Sequence, residues 1–394
     1  MKIKGLRKVL SVITALVVVC IIGISLTACG GNTGGNTDNN KKTEKISFTD
    51  VTGASFEFAK PVEKAAIQYS GSGGAFMTMS GLFGRDVYKH IAGMDNGLAE
   101  NRNDMWQSFI KTVPELKDVK KIGSLGKDFD VEGVINSGAE VLILSKDSKK
   151  QAGDTQAKLE KAGIKVLYID FHDETVENHV KSTEIMGKMF GREEQAKKMI
   201  DFYKEHRAKA EKAAEAGFKK TGKRPNLYIE VGASGPEKLD NTYSNKYMWG
   251  GIAYSSGANS IADNGNIAKA APLDSEYLLK SNPDKIVFTG AYWPKVKTSL
   301  RMGFEANEAE TKKLVDAYLT RPGWEGLDAV KKKDIHVIHH GLCREMYDFV
   351  GYEFFAKVCY PEESKDIDPT ASLKEYYEKF LPYEFSGLWF YDYK

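Results

Sequence analysis

The spacing of apolar and polar positions changes along the chain, and the changes mark elements. Short apolar-rich runs at "AAIQYS" (65–70), "AEVLILS" (139–145) and "IKVLYIDF" (164–171) predict strands, the last two preceded by helical segments. Strand and helix in alternation imply a largely parallel sheet. "TVENHVKSTEIMGKMFG" (175–191) predicts a helix stopped by Gly191. In "REEQAKKMIDFYKEHRAKAEKAAEA" (192–216), Ala196, Met199, Ile200, Tyr203 and Ala210 fall at helical spacing, with no Pro or Gly. That predicts one helix of ~37 Å ending at Gly217. Beyond it the alternation restarts with strands at "PNLYIEVG" (225–232), "DKIVFTG" (284–290) and "IHVIHHG" (335–341), the last preceded by helical "WEGLDAVKKK". The aromatic-dense end, "YYEKFLPYEFSGLWFYDYK", predicts a last helix and a segment docked on the body.

One stretch occurs twice. "VEGVINSGAEVLIL" (131–144) returns 144 positions later, without gaps, as "SEYLLKSNPDKIVF" (275–288). Glu132 answers Glu276, Ser137 answers Ser281 and Glu140 answers Asp284. Each copy reads as a helix running into a strand. The fold expected is therefore α/β, with two lobes built on mostly parallel sheets and a single long helix joining them. The expected divisions are a leader (1–28), a lipidated cysteine and tether (29–45), an N-terminal lobe (46–191), the interlobe helix (192–217) and a C-terminal lobe (218–394).

The first residues are not part of that fold. A basic start and the apolar run "SVITALVVVCIIGISL" end in Leu26-Thr27-Ala28-Cys29, the marks of an export leader. The ending resembles the bacterial lipobox, which implies cleavage before Cys29 and a lipid on its sulfur. An uncleaved membrane anchor is the alternative. "GGNTGGNTDNNKKTEK" then reads as a flexible tether. The place expected is the outer face of a bacterial cytoplasmic membrane, held by lipid alone. The formal net charge is +2. Lys2, Lys4, Arg7 and Lys8 depart with the leader, so the exported part is slightly acidic and offers no field for nucleic acid. Of the two remaining cysteines, Cys343 precedes and Cys359 ends a predicted helix beginning just after Cys343. A continuous helix would put their sulfurs ~20 Å apart, so separate thiols are expected.

These features together resemble the class III substrate-binding proteins of ABC importers, the helical-backbone receptors for ferric siderophores, haem and cobalamin. The resemblance runs from about Lys45 to the C-terminus. It is carried by "IGSLGKDFDVEGVINSGAEVLIL", "LDSEYLLKSNPDKIVF", the single connecting helix and "RPGWEGLDAVKKKDIHVI…VCYPE". Two departures are "NSGAEV", where the family usually has Pro-Asp, and the long region after "GSGG". The resemblance implies a monomeric receptor with a ligand cleft between its lobes and no intrinsic cofactor, carrying a metal chelate such as a ferric siderophore to an ABC permease and its ATPase. Haem, cobalamin and free metal stay open as cargo, and a membrane-tethered enzyme or sensor is the rival reading. No G-x-S-x-G, P-loop or H-E-x-x-H motif supports an enzyme. The resemblance also implies that Glu132 and Glu276 dock the permease. As residues, both read equally as acids in a first helical turn, favoured by the helix dipole.

Ligands of open α/β sheets bind beyond the carboxyl ends of the strands. That nominates Ser70, Gly71, Ser72 and Gly73, whose turn would bring backbone N–H groups to a ligand. It also nominates Tyr292 and Trp293, Tyr247 and Trp249 as flat aromatic surfaces, and His340. Arg344 suits a carboxylate or phenolate oxygen, with Arg85 and Arg102 weaker candidates. Strand phasing puts His336 and His340 on one face and His339 on the other. A direct metal site would need His339, His340 and His172 together. One stiff helix between the lobes predicts small closure on binding.

Overall fold

The computed structural model describes residues 45–394, apart from Gly73 and Glu174. The leader, Cys29 and nearly all of the tether therefore lie outside the described residues. A hairpin of β1 (Ile46–Thr49) and β2 (Ser55–Phe58) comes first. The N-terminal lobe is a four-stranded sheet of β3 (Ala65–Ile67), β4 (Ile91–Met94), β5 (Val141–Ser145) and β6 (Lys165–Ile169). Its order is β4-β3-β5-β6 and every pair is parallel. All four strands are nearly continuous apolar runs, as sheets covered on both faces require. The C-terminal lobe begins with β7 (Asn226–Val231) and a small hairpin of β8 (Asn241–Tyr243) with β10 (Ala270–Pro272). Its main sheet adds β9 (Asn259–Ser260), β11 (Lys285–Gly290), β12 (Ile335–His339) and β13 (Phe390–Asp392) in the order β13-β12-β11-β7-β9. Only β13, from the docked C-terminal segment, runs antiparallel.

The repeated stretch is one structural unit used twice. Asp130 caps the helix Val131–Ile135 by accepting from the Gly133 N–H, and Asp274 caps Ser275–Ser281 by accepting from Tyr277 N–H. Glu140 accepts from the Glu63 and Lys64 N–H groups just before β3; Asp284 accepts from Asn226 N–H at the start of β7. Each carboxylate thus ties the entry of one strand to the strand that pairs with it. This fixes register, and in a parallel sheet a slip of one residue would turn every side chain to the wrong face.

The linking helix spans Glu193–Thr221, ~43 Å at 1.5 Å per residue. It runs past the stop expected at Gly217 and ends at Gly222, whose φ of 66° only glycine adopts freely. Gly217 serves packing instead: a Cβ there would stand 2.1 Å from the Tyr360 ring, which lies directly on the helix backbone. The predicted stripe is buried as expected, with Met199 and Tyr203 fully so. The helix after Cys343 also begins later than expected, at Phe349, and no disulfide joins Cys343 to Cys359.

The two lobes are not separate bodies. One apolar cluster runs from the N-terminal sheet through the linking helix into the C-terminal lobe. The C-terminal segment stitches it. Tyr383 stacks on Phe109 with ring centroids 3.6 Å apart and shares a hydrogen bond with Ser80. Asp104 of the N-terminal lobe accepts from Phe304 N–H of the other at 3.1 Å.

Candidate functional site

A cleft of about 570 Å³ opens between the carboxyl ends of the two sheets. Its size suits an organic ligand. Gly71 and Ser72 line one side, in the turn after β3. A Cβ on Gly71 would meet the Gly97 carbonyl at 2.5 Å, so the turn closes only with glycine there. Ser70 lies behind them, buried, its hydroxyl donating to Asp95 at 2.7 Å and accepting from Leu98 N–H. It braces the turn and does not line the cleft. Gly73 is outside the described residues.

The opposite wall comes from the C-terminal lobe. His340 follows β12, its Nδ1 bonded to the Thr289 hydroxyl at 2.8 Å, with the Trp293 ring 5.6 Å away. Arg344 lines the same wall, and its Nη2 donates to the Tyr247 hydroxyl oxygen at 3.0 Å. Arg102 joins them from the N-terminal lobe, buried and 3.9 Å from Glu345 across the lobes. Lys127 stands at the rim, where Glu100 is the counter-charge. The remaining acid, Asp95, is occupied by Ser70 and by the Gly97 N–H. The lining thus carries three cations, Arg102, Lys127 and Arg344, against two acids, a surplus of one positive charge. Burial, then Arg102 and Arg344, lowers the His340 pKa to about 3. Burial and Arg344 lower that of His172 to about 3 as well. Both imidazoles are neutral near pH 7.

Several nominated residues stand elsewhere. Trp249 is fully buried, packed near Phe355 in the shared core, because the helix Met248–Ser255 turns it inward. Tyr292 lies under the Arg301 guanidinium at 4.7 Å and is not in the cleft wall. Arg85 is on the surface, bonded to the Thr112 carbonyl. His339 is fully buried against Trp389, its Nδ1 accepting from Gly341 N–H. His172 bonds Ser145 on the far side of Tyr69. His339, His340 and His172 are thus not brought together, and no group of three or more His, Cys, Asp or Glu among the described residues could hold a metal ion. His336 is held at the other end of β12 between Asp334 and Asp392. Glu132 and Glu276 are both exposed in the first turns of their equivalent helices.

Sequence reasoning missed Gln68, Tyr69 and Met248, which all line the cleft. The Gly/Ser turn pointed to the neighbourhood of Tyr69. No residue-type signal marks Met248, which sits in a left-handed conformation at φ 43°.

Residues 94–341 match the periplasmic binding protein family. No curated protein matches the sequence. Among solved structures, the chain is similar to a TroA-like periplasmic binding protein, FepB, from Veillonella parvula. The two are 43% identical with a TM-score of 0.85, over 89% of this chain and 100% of that one. At 16% identity and a TM-score of 0.60 it shares the fold of Helicobacter pylori CeuE with Ni(II) bound, over 85% of this chain and 95% of that one. At 15% identity and 0.52 it shares that of a periplasmic heme binding protein from Pseudomonas aeruginosa, over 76% and 94%.

Proposed function

Because the chain belongs to the periplasmic binding protein family, and so is the extracytoplasmic substrate-binding component of an ABC importer and not an enzyme, we propose that its cargo is an anionic iron chelate of the ferric siderophore kind. One observation carries this reading. Arg102, Arg344 and Lys127 converge on a cleft whose lining histidine, His340, is neutral and whose wall includes the Trp293 ring. Guanidinium forks pair with carboxylate or phenolate oxygens, and an aromatic face suits a flat chelate. The similarity to the periplasmic binding protein FepB at 43% identity supports the receptor part of this reading.

The rest of the reading follows the sequence. Cys29 carries the lipid that holds the receptor on the membrane; among the described residues no helix is long and apolar enough to cross one. Glu132 and Glu276, exposed at equivalent helix starts, present paired charges to the permease, which works with its ATPase. The receptor acts as a monomer, with lobes on either side of the linking helix.

The test is tryptophan fluorescence of the purified protein, titrated with ferric catecholates, ferric hydroxamates, ferric citrate, haem, cobalamin and free divalent metals. Saturable quenching by a ferric chelate, lost in Arg344→Ala, is expected. Saturation by haem or cobalamin alone would move the cargo to that class. Silence toward every ferric complex would overturn the proposal.

A further inference from the structure

Beside the main cleft lies a second compartment of about 300 Å³, also between the lobes. Asp147, His172 and Asp173 line it from the N-terminal lobe; Lys246, Tyr247 and Lys269 line it from the other. The wall between the compartments has a definite make-up. Met248 lines both. From the N-terminal lobe, Tyr69 faces the main compartment and meets edge-on the ring of His172, which faces the second, at 6.2 Å. From the C-terminal lobe, Arg344 faces the main compartment and is bonded to Tyr247, which faces the second. Each lobe thus supplies one pair that straddles the wall.

The wall is also where the backbone is strained. Six non-glycine residues among those described have positive φ. Two are asparagines, which tolerate it. Three of the others are Tyr69 at 57°, Met248 at 43° and Arg344 at 65°, all in this wall and on three separate segments. Bulky side chains in that region persist only where the surrounding structure forces them, and such positions cluster at ligand clamps and switches. The charge pattern changes across the wall as well. The main compartment carries three cations against two acids, whereas Asp147 and Asp173 balance Lys246 and Lys269 in the second.

We propose that Tyr69, Met248 and Arg344 form an internal gate, and that the second compartment receives a polar arm of the chelate bearing no net charge. The anionic, metal-bearing part stays with Arg344 and Lys127. This rests on the chelate-receptor reading above. The gate opens by side-chain movement alone, since both straddling pairs lie within single lobes. Cargo is then selected by the shape of its arm as well as by its charge.

Gly251 gives the test. It lines the second compartment from the helix Met248–Ser255, and a Cβ there would make only ordinary contacts, the nearest at 3.7 Å. Gly251→Phe therefore adds a ring to that compartment without backbone conflict. Tyr247→Phe removes the bond to Arg344 and keeps the ring. The probes are a ferric tris-catecholate bearing a zwitterionic amino-acid arm and the same complex without the arm. Gly251→Phe is expected to weaken the armed complex at least tenfold and the armless one less than twofold. Tyr247→Phe, which frees the Arg344 fork that both complexes meet, is expected to strengthen the armed complex a few-fold relative to the armless one. Should Gly251→Phe not fold, Tyr247→Phe decides alone. Equal responses of the two complexes would overturn the gate while leaving the receptor reading standing. Binding of neither complex by the unaltered protein would overturn both.

Discussion

Gln68 and Glu230 hold the same place in the two lobes. Ala65 pairs with Val141 as Leu227 pairs with Lys285, so residue 68 of one copy matches residue 230 of the other. Gln68 is neutral; its amide donates to the Gly123 carbonyl and accepts from Leu125 N–H, holding the loop of residues 123–125 at the cleft. Glu230 instead takes a two-pronged ion pair from Arg321, at 2.6 and 2.8 Å, and accepts from Asp240 N–H. One residue on, the copies part. Tyr69 turns left-handed and the strand is over, whereas Val231 stays in the sheet and Gly232 N–H still bonds Thr289. Where the strand stops early, Tyr69, Gly71 and Ser72 face the cleft. Where it continues, Leu300 packs on Gly232 at the same level. The duplicated unit sets register in both lobes, and one wall of the cleft arises where one copy breaks off.

The largest way to break this comparison is Arg321→Ala. It strands a buried carboxylate and should cost about 3–5 kcal/mol in urea unfolding, with chelate affinity unchanged in whatever protein stays folded. Asp104→Asn acts on the contact that joins the lobes. Burial raises the Asp104 pKa from the usual 3.8 to about 6. The native state therefore holds this proton more tightly than the unfolded chain. Its stabilising effect is full below pH 4 and is lost as the pH rises through 6. The variant should gain about 1–3 kcal/mol near pH 7 and flatten the fall in stability between pH 4 and 6.5, read from unfolding at several pH values. A decline of the same slope in the variant would refute this. Gln68→Ala, the N-terminal counterpart of Arg321→Ala, should cost about 1–2 kcal/mol yet weaken chelate binding, because it frees the loop at the cleft. Smallest in stability are Glu132→Lys and Glu276→Lys. Each should change unfolding by less than about 1 kcal/mol, the reach of a helix dipole, and leave affinity intact while uptake by cells is lost. Uptake that survives both reversals would remove these residues from the docking surface.

The fold was largely legible because its signals are local. An acid at a helix start, a two-residue strand period and an unbroken apolar stripe each sit within one element. The site was legible in part. Gly71, Ser72, Trp293, His340 and Arg344 follow from the rule that clefts form beyond strand ends. Trp249 and Tyr292 did not follow it, because sequence does not reveal which way a loop aromatic turns. Trp249 is swung into the core by the left-handed Met248 before it, and Tyr292 is claimed by Arg301. Tyr69 and Met248 were missed for the same reason: a strained backbone is imposed by tertiary contacts and leaves no mark in residue type. Gly217 was misread since a glycine that ends a helix and one that admits a neighbouring ring look alike in sequence.

The unbroken helix and the core shared by both lobes leave little room for one half to swing against the other. The outer surface would then stay almost the same with and without cargo. Vacant and loaded receptors would compete for the same transporter on nearly equal terms. Import would depend on the ratio of loaded to vacant copies, and excess vacant receptor would act as an inhibitor of its own pathway.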